Sequence, residues 1–128
     1  ICQSEQIKNI QTQIIDLNQN LNIQGHYDFI CCTVVMMFLQ PATIPQLIES
    51  MQQATQSQGF NLIVCAMDSV DYPAQSDFAF AFKTDELRCY YKDWKILKYN
   101  ENLGELHRLD VTGNPIKQQF VTLLAQKI

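Results

Sequence analysis

Apolar residues near the start of the chain, Ile7, Ile10, Ile14, Leu17 and Leu21, recur at alternating steps of three and four. That is the a/d alternation of a heptad seam. Gln, Asn, Lys and Asp fill the positions between them, apart from Ile15. The spacing predicts an N-terminal amphipathic or coiled-coil helix over 1–25, beginning near Ser4 and stopping between Asn22 and Gly25. Burying each large aliphatic side chain is worth about 1.5–3 kcal/mol, so a stripe of five is expected to be covered. Its cover is either the same domain or a second chain, and Ile7, Ile10, Ile14, Leu17 and Leu21 are the candidate interaction residues.

Residues 26–128 are expected to form a single domain. Tyr27–Leu39 is rich in β-branched and aromatic residues and predicts a strand ended by Pro41. Thr43-x-x-Gln46, with Pro45 near the first turn, has the spacing of a capping box. Leu47, Ile48, Met51, Ala54 and Thr55 form the apolar face of the helix that follows, with Gly59 as its stop. Phe60–Met67 is nearly continuous in apolar residues, as an interior strand is. After a polar loop over Asp68–Asp77, Phe78–Phe82 alternates large and small apolar side chains and predicts another strand. Leu87–Tyr99 fits helix or strand, with strand favoured for its second part. A turn over Asn100–Gly104 would then close a hairpin onto Leu106–Thr112. Asn114 as N-cap and Pro115 in the first turn predict a final helix with Ile116, Phe120, Leu123, Leu124 and Ile128 on its apolar face. The expected fold is α+β: a ferredoxin-like, antiparallel-rich sheet with helices on one face. Its expected core is Met51, Leu62, Val64, Phe80, Val111, Phe120 and Leu124.

Composition narrows the function classes. The 128 residues are 47% hydrophobic, with a formal net charge of −4 and only four Gly and four Pro. That excludes disordered and low-complexity classes and argues against a nucleic-acid binder, which is basic. Lys83, Arg88, Lys92, Lys95 and Lys98 interleave with Tyr90, Tyr91, Trp94 and Tyr99. Asp85, Glu86 and Asp93 sit among them, which favours a charged sheet face over a single-strand binding site. No run of about 18 apolar residues spans a bilayer; the longest, Phe29–Leu39, is shorter and broken by Thr33.

Candidate chemistry is sparse. Cys2, Cys31, Cys32, Cys65 and Cys89 have no disulfide or metal-ligand spacing, and Cys31, Cys32 and Cys65 read as small buried hydrophobes. The two histidines, His26 and His107, lie in no nucleophile–base signature. His107, beside Arg108, reads as a sheet-face residue. Asp68, Asp71 and Asp77 share a loop without the EF-hand pattern. The scattered Gly25, Gly59, Gly104 and Gly113 form no phosphate-cradling loop. The expectation is a protein without catalysis, cofactor or required metal.

Leu39-Gln40-Pro41-Ala42-Thr43-Ile44-Pro45-Gln46-Leu47-Ile48, with the helix beyond it and then Gly59-Phe60-Asn61-Leu62, resembles PilO/GspM-like proteins. Those are inner-membrane assembly-platform components of type IV pili, competence pili and type II secretion systems. Leu106–Gly113 followed by Phe120 and Leu124 is similar to that family's closing strand and helix, and the Ile7–Leu21 stripe to its short coiled coil. The resemblance implies a non-enzymatic scaffold that self-associates or binds related assembly subunits at the periplasmic face of the bacterial inner membrane. It also implies an anchor upstream of Ile1 as the sole membrane contact. A small acidic inhibitor or immunity protein, placed in the cytoplasm, is the alternative reading.

Overall fold

The computed structural model describes residues 8–128. Strand β1, Tyr27–Thr33, leads through a single 3-10 turn at Met36–Phe38 into helix α1, Thr43–Ala54. Strand β2, Thr55–Ala66, follows at once. A long connection carries one short helix, α2, Glu86–Tyr90. Strands β3, Lys95–Leu109, and β4, Pro115–Gln126, complete the chain as a hairpin. The strands lie in the order β1-β2-β4-β3. β1 and β2 are parallel, joined by the α1 crossover, while β4 is antiparallel to both β2 and β3.

This is a mixed α/β sheet, and it overturns the ferredoxin-like expectation. The residues whose pattern predicts a final helix form β4, an interior strand of the sheet. Val121, Leu123 and Ala125 alternate inward at period two and are fully buried. Asn114 and Pro115, which imitate a helix start, close a hairpin instead. Asp110 Oδ1 accepts from the backbone N–H groups of Thr112 (2.8 Å) and Asn114 (3.0 Å), and Gly113 takes φ 86° in the turn between. The expected turn at Gly104 does not exist, because β3 runs straight through it. A Cβ on Gly104 would come within 3.2 Å of the Phe120 ring; the glycine is there for close packing. Phe78–Phe82 is not a strand either: Phe82 makes one isolated parallel bridge, to Met67.

Among the described residues the expected N-terminal coiled-coil helix does not form either. Residues 8–26 form no helix; Ile7 lies outside the described residues. Short polar side chains satisfy the backbone locally, the competition that makes Asp and Asn poor helix formers. Asp16 Oδ1 accepts from Asn18 N (3.0 Å) and Asn20 Oδ1 from Asn22 N (3.2 Å). α1 then straps the segment down. Ser50 Oγ donates to Leu21 O (2.6 Å) and accepts from Ile23 N (3.2 Å), and Thr43 Oγ1 donates to Asn18 Oδ1 (2.9 Å). Leu17 and Leu21 pack on the core, while Ile10 is half exposed and Ile14 wholly so.

The core lies between α1 and one face of the sheet. Ile44, Leu47, Ile48 and Met51 from the helix meet Ile63, Cys65, Val121, Leu123 and Ala125 from the strands. Of the expected core, Met51 is buried, but Leu62, Val64 and Leu124 are one residue out of phase and face the other side, only half-buried. Phe80 and Phe120 are also half-buried, and Val111 stands fully exposed in the hairpin turn. Among the described residues no helix is long and apolar enough to cross a membrane.

Candidate active site

In an open α/β sheet, ligands bind outside the carboxyl ends of the parallel strands. At the carboxyl end of β1, Val34 adopts φ 58°. For a β-branched residue this left-handed backbone costs about 1–3 kcal/mol and persists where surrounding structure enforces it. Its N–H is held by Val64 O at 2.8 Å, on β2. Val34 forms one wall of a cleft of about 340 Å³ with Met37, Phe38, Phe78, Leu106 and Phe120. Three polar side chains line the same cleft: Asp77, His107 and Arg108.

The hairpin delivers two of these. β4 pairs with β2 only from Phe60↔Gln126 to Ala66↔Phe120, so Pro115–Gln119 and the β3 residues opposite overhang the carboxyl end of β2. Within the overhang the β3 register slips between Glu105 and Leu109. A regular strand alternates its side chains between faces; the slip lets Leu106, His107 and Arg108 line one cleft, the re-aiming that bulges perform beside active sites. Arg108 presents its guanidinium fork to Asp77, with Nη1 to Oδ2 at 3.0 Å and Nη2 to Oδ1 at 3.4 Å. Phe38 and Phe78 meet edge to face across the cleft wall, with centroids 5.7 Å apart.

The loop carrying Asp77 is fastened to β4. Gln118, fully buried, donates from Nε2 to Met67 O (2.8 Å) and accepts at Oε1 from Gln75 N (3.4 Å). Ser69 Oγ donates to Gln119 Oε1 (2.7 Å). Asp68 pairs with Lys83, whose hydrogen bond holds its carboxyl below the usual range, helped by a backbone bond from Ala74 N. A larger hollow of about 580 Å³ at the hairpin turn is lined by Glu105, Asp110, Asn114, Pro115, Ile116 and Lys117. Its charged side chains are two carboxylates and one amine, and it holds no aromatic wall, guanidinium or imidazole. The cysteines do not contribute a site. Burial pushes the Cys32 thiol up to about 11 and the Cys65 thiol up to about 12, which disfavours the reactive thiolate. Cys31 and Cys89 are exposed. Among the described residues no group of three or more His, Cys, Asp or Glu could hold a metal ion.

The family model described as tellurite resistance protein TehB matches residues 1–124. The chain belongs to the TehB family. It is 51% identical over 119 residues to a probable S-adenosyl-L-methionine-dependent methyltransferase TehB of Haemophilus influenzae, covering 93% of this chain and 41% of that protein. It superimposes on the crystal structure of TehB from Haemophilus influenzae with a TM-score of 0.91 at 48% identity, over 98% of this chain and 44% of the other. The chain thus spans under half the length of these relatives. The N-methyltransferase NodS of Bradyrhizobium japonicum shares the fold alone, with a TM-score of 0.64 at 12% identity over 98% of this chain and 65% of that one.

Family membership overturns the PilO/GspM-like resemblance and the reading drawn from it. The family is TehB, and its Haemophilus influenzae relative is named a probable methyltransferase, so neither the non-enzymatic pilus or secretion scaffold nor the acidic inhibitor stands, and the periplasmic placement loses its basis. The Leu39–Ile48 motif that carried the resemblance is the entry to α1, common to strand–helix–strand units. The interaction residues Ile10, Ile14, Leu17 and Leu21 do not meet at the cleft. Asp77, His107 and Arg108 share no sequence signature that marks them as a set. Asp77 and Arg108 are 31 residues apart, and the slip that aims Arg108 has no glycine to announce it.

Proposed function

We propose that this chain forms the acceptor side of a methyltransferase that uses S-adenosylmethionine, and that the acceptor is a tellurium oxyanion. The family's name supports the substrate class, and its relatives' names support the donor. The observation that carries the reading is the cleft itself: a guanidinium and an imidazole set into an apolar wall at the carboxyl end of the parallel strands.

S-adenosylmethionine supplies an electrophilic methyl group on a sulfonium sulfur. The residues of this chain fit the reacting end of such a donor and not its nucleoside. Val34, Met37, Phe38 and Phe78 offer an apolar surface that excludes water, but the described residues include no glycine-rich turn at the end of β1. The reading assigns the nucleoside-holding part to the rest of the sheet, added at β1, which is an edge strand with Tyr27 and Phe29 exposed.

On the acceptor side Arg108 orients the substrate. Its two Nη groups match two oxygens of an oxyanion as they match a carboxylate. His107, adjacent and on the same cleft, hydrogen-bonds a third oxygen and takes a proton from a protonated acceptor. With the oxygens held by polar groups at one end, the tellurium lone pair faces the apolar wall. Positioning of this kind converts an encounter into an in-line displacement. The test is release of S-adenosylhomocysteine by the purified protein with tellurite, together with mass-spectrometric detection of a methylated tellurium product. Tellurite-independent release, or none from protein shown to bind the donor, overturns the reading.

A further inference from the structure

We infer that Asp77 is a resident competitor for the anion site: its carboxylate occupies the Arg108 fork until an oxyanion displaces it. The inference rests on the acceptor role of Arg108 proposed above.

Both Nη groups of Arg108 are engaged by both oxygens of Asp77, the geometry a bound oxyanion would take. Among the charged side chains lining the cleft the formal charges of Asp77 and Arg108 cancel, and no second cation faces Arg108. An anion arriving with Asp77 in place therefore meets a neutral site and a filled fork. Asp77 and Arg108 are both about half exposed, at 55% and 50%, so the carboxylate can turn to water without burying an unpaired charge. The backbone need not follow. The loop is pinned by Asp68 to Ala74 N, by Gln119 to Ser69 and by Gln118 to Gln75, all upstream of Asp77. The exchange is thus a side-chain event. Its consequence is a modest weakening: every anion that takes the fork must first displace the carboxylate.

An exposed pair of this kind is worth at most about 1 kcal/mol, which converts to about fivefold in affinity. The experiment is calorimetric titration with sulfite, a pyramidal oxyanion that leaves free thiols unchanged. Asp77→Asn is expected to bind two- to fivefold more tightly than the natural protein. The gain is expected to vanish in an Arg108→Ala background. Asp93→Asn, which removes a charge at an exposed position outside the cleft, is expected to change nothing. Unchanged or weaker binding by Asp77→Asn overturns the inference and makes Asp77 an orienting partner of the guanidinium. An equal gain in both backgrounds, or with Asp93→Asn, overturns it as bulk charge. If Arg108→Ala alone leaves binding intact, the acceptor role of Arg108 fails first, and the competitor role with it.

Discussion

Gln118→Leu tests whether the fastening of the site loop to β4 works as described. Gln118 is a fully buried polar side chain, donating to Met67 O at 2.8 Å and to Gln119 O at 2.9 Å, and accepting from Gln75 N. Leucine fills a similar volume but offers neither donor nor acceptor. The buried Met67 carbonyl then loses its side-chain partner, a cost of about 1–3 kcal/mol for an orphaned group. Removing the amide itself from the interior offsets part of that cost, leaving a net loss of about 1–2 kcal/mol. For a chain of this size, 1 kcal/mol moves the midpoint by about 3–5 °C, so Tm is expected to fall by about 3–10 °C. Urea unfolding at unchanged m-value should give the same loss, and hydrogen exchange at the Gln75 amide should quicken. Gln118→Glu should cost more than leucine, because an ionised carboxylate cannot donate to Met67 O and is buried. A Gln118→Leu protein as stable as the parent, with Gln75 still protected, would refute the reasoning.

Three further outcomes follow from the same structure. Ile14→Asp is expected to leave the unfolding free energy within about 0.5 kcal/mol of the parent, as exposed substitutions do, whereas Leu21→Asp, against the core, should destabilise clearly; sedimentation of the Ile14 variant also tests whether that side chain contacts a second chain. Alkylation mapped by mass spectrometry should modify Cys31 and Cys89 rapidly and leave Cys65 untouched in the folded state, since its thiol sits at about 12; prompt labelling of Cys65 would contradict its burial. Gly104→Ala should destabilise unless the Phe120 ring moves, because the new Cβ would stand 3.2 Å from it; thermal unfolding measures this.

The parts of the fold legible in the sequence are those whose signals are local. A helix does start near Thr43, but without the expected capping box: its N-cap is Ala42, with no side-chain cap bond, and Thr43 Oγ1 goes to Asn18 instead. The helix ends at Ala54, Gly59 lies inside β2, and β2 takes up the expected run Phe60–Met67 as far as Ala66. The α2 and β3 segments divide Leu87–Tyr99 much as the favoured reading does. Where the sequence misleads, two structures share one pattern. Ile116, Phe120, Leu123 and Leu124 fit a helical stripe, while Val121, Leu123 and Ala125 fit a strand; pairing with both β2 and β3 decides for the strand. The Ile7–Leu21 stripe has heptad spacing, but its asparagines and Asp16 close turns on their own backbone, and α1 captures the segment. The site was illegible for a different reason. It joins the end of β1, a loop after β2 and a register slip in β3, three places related only through the sheet. Nothing in Leu106-His107-Arg108 alone distinguishes a cleft lining from an ordinary strand.

The central claim is that Arg108 holds the acceptor anion at the carboxyl end of the sheet. The direct measurement is steady-state methyl transfer to tellurite, with natural protein and Arg108→Ala compared at saturating S-adenosylmethionine. Loss of a charge-assisted pair of hydrogen bonds at a half-exposed site is expected to lower kcat/KM for tellurite by about 10- to 100-fold, with donor binding and Tm preserved. An Arg108→Ala protein that binds the donor and methylates tellurite as well as the parent would contradict the account.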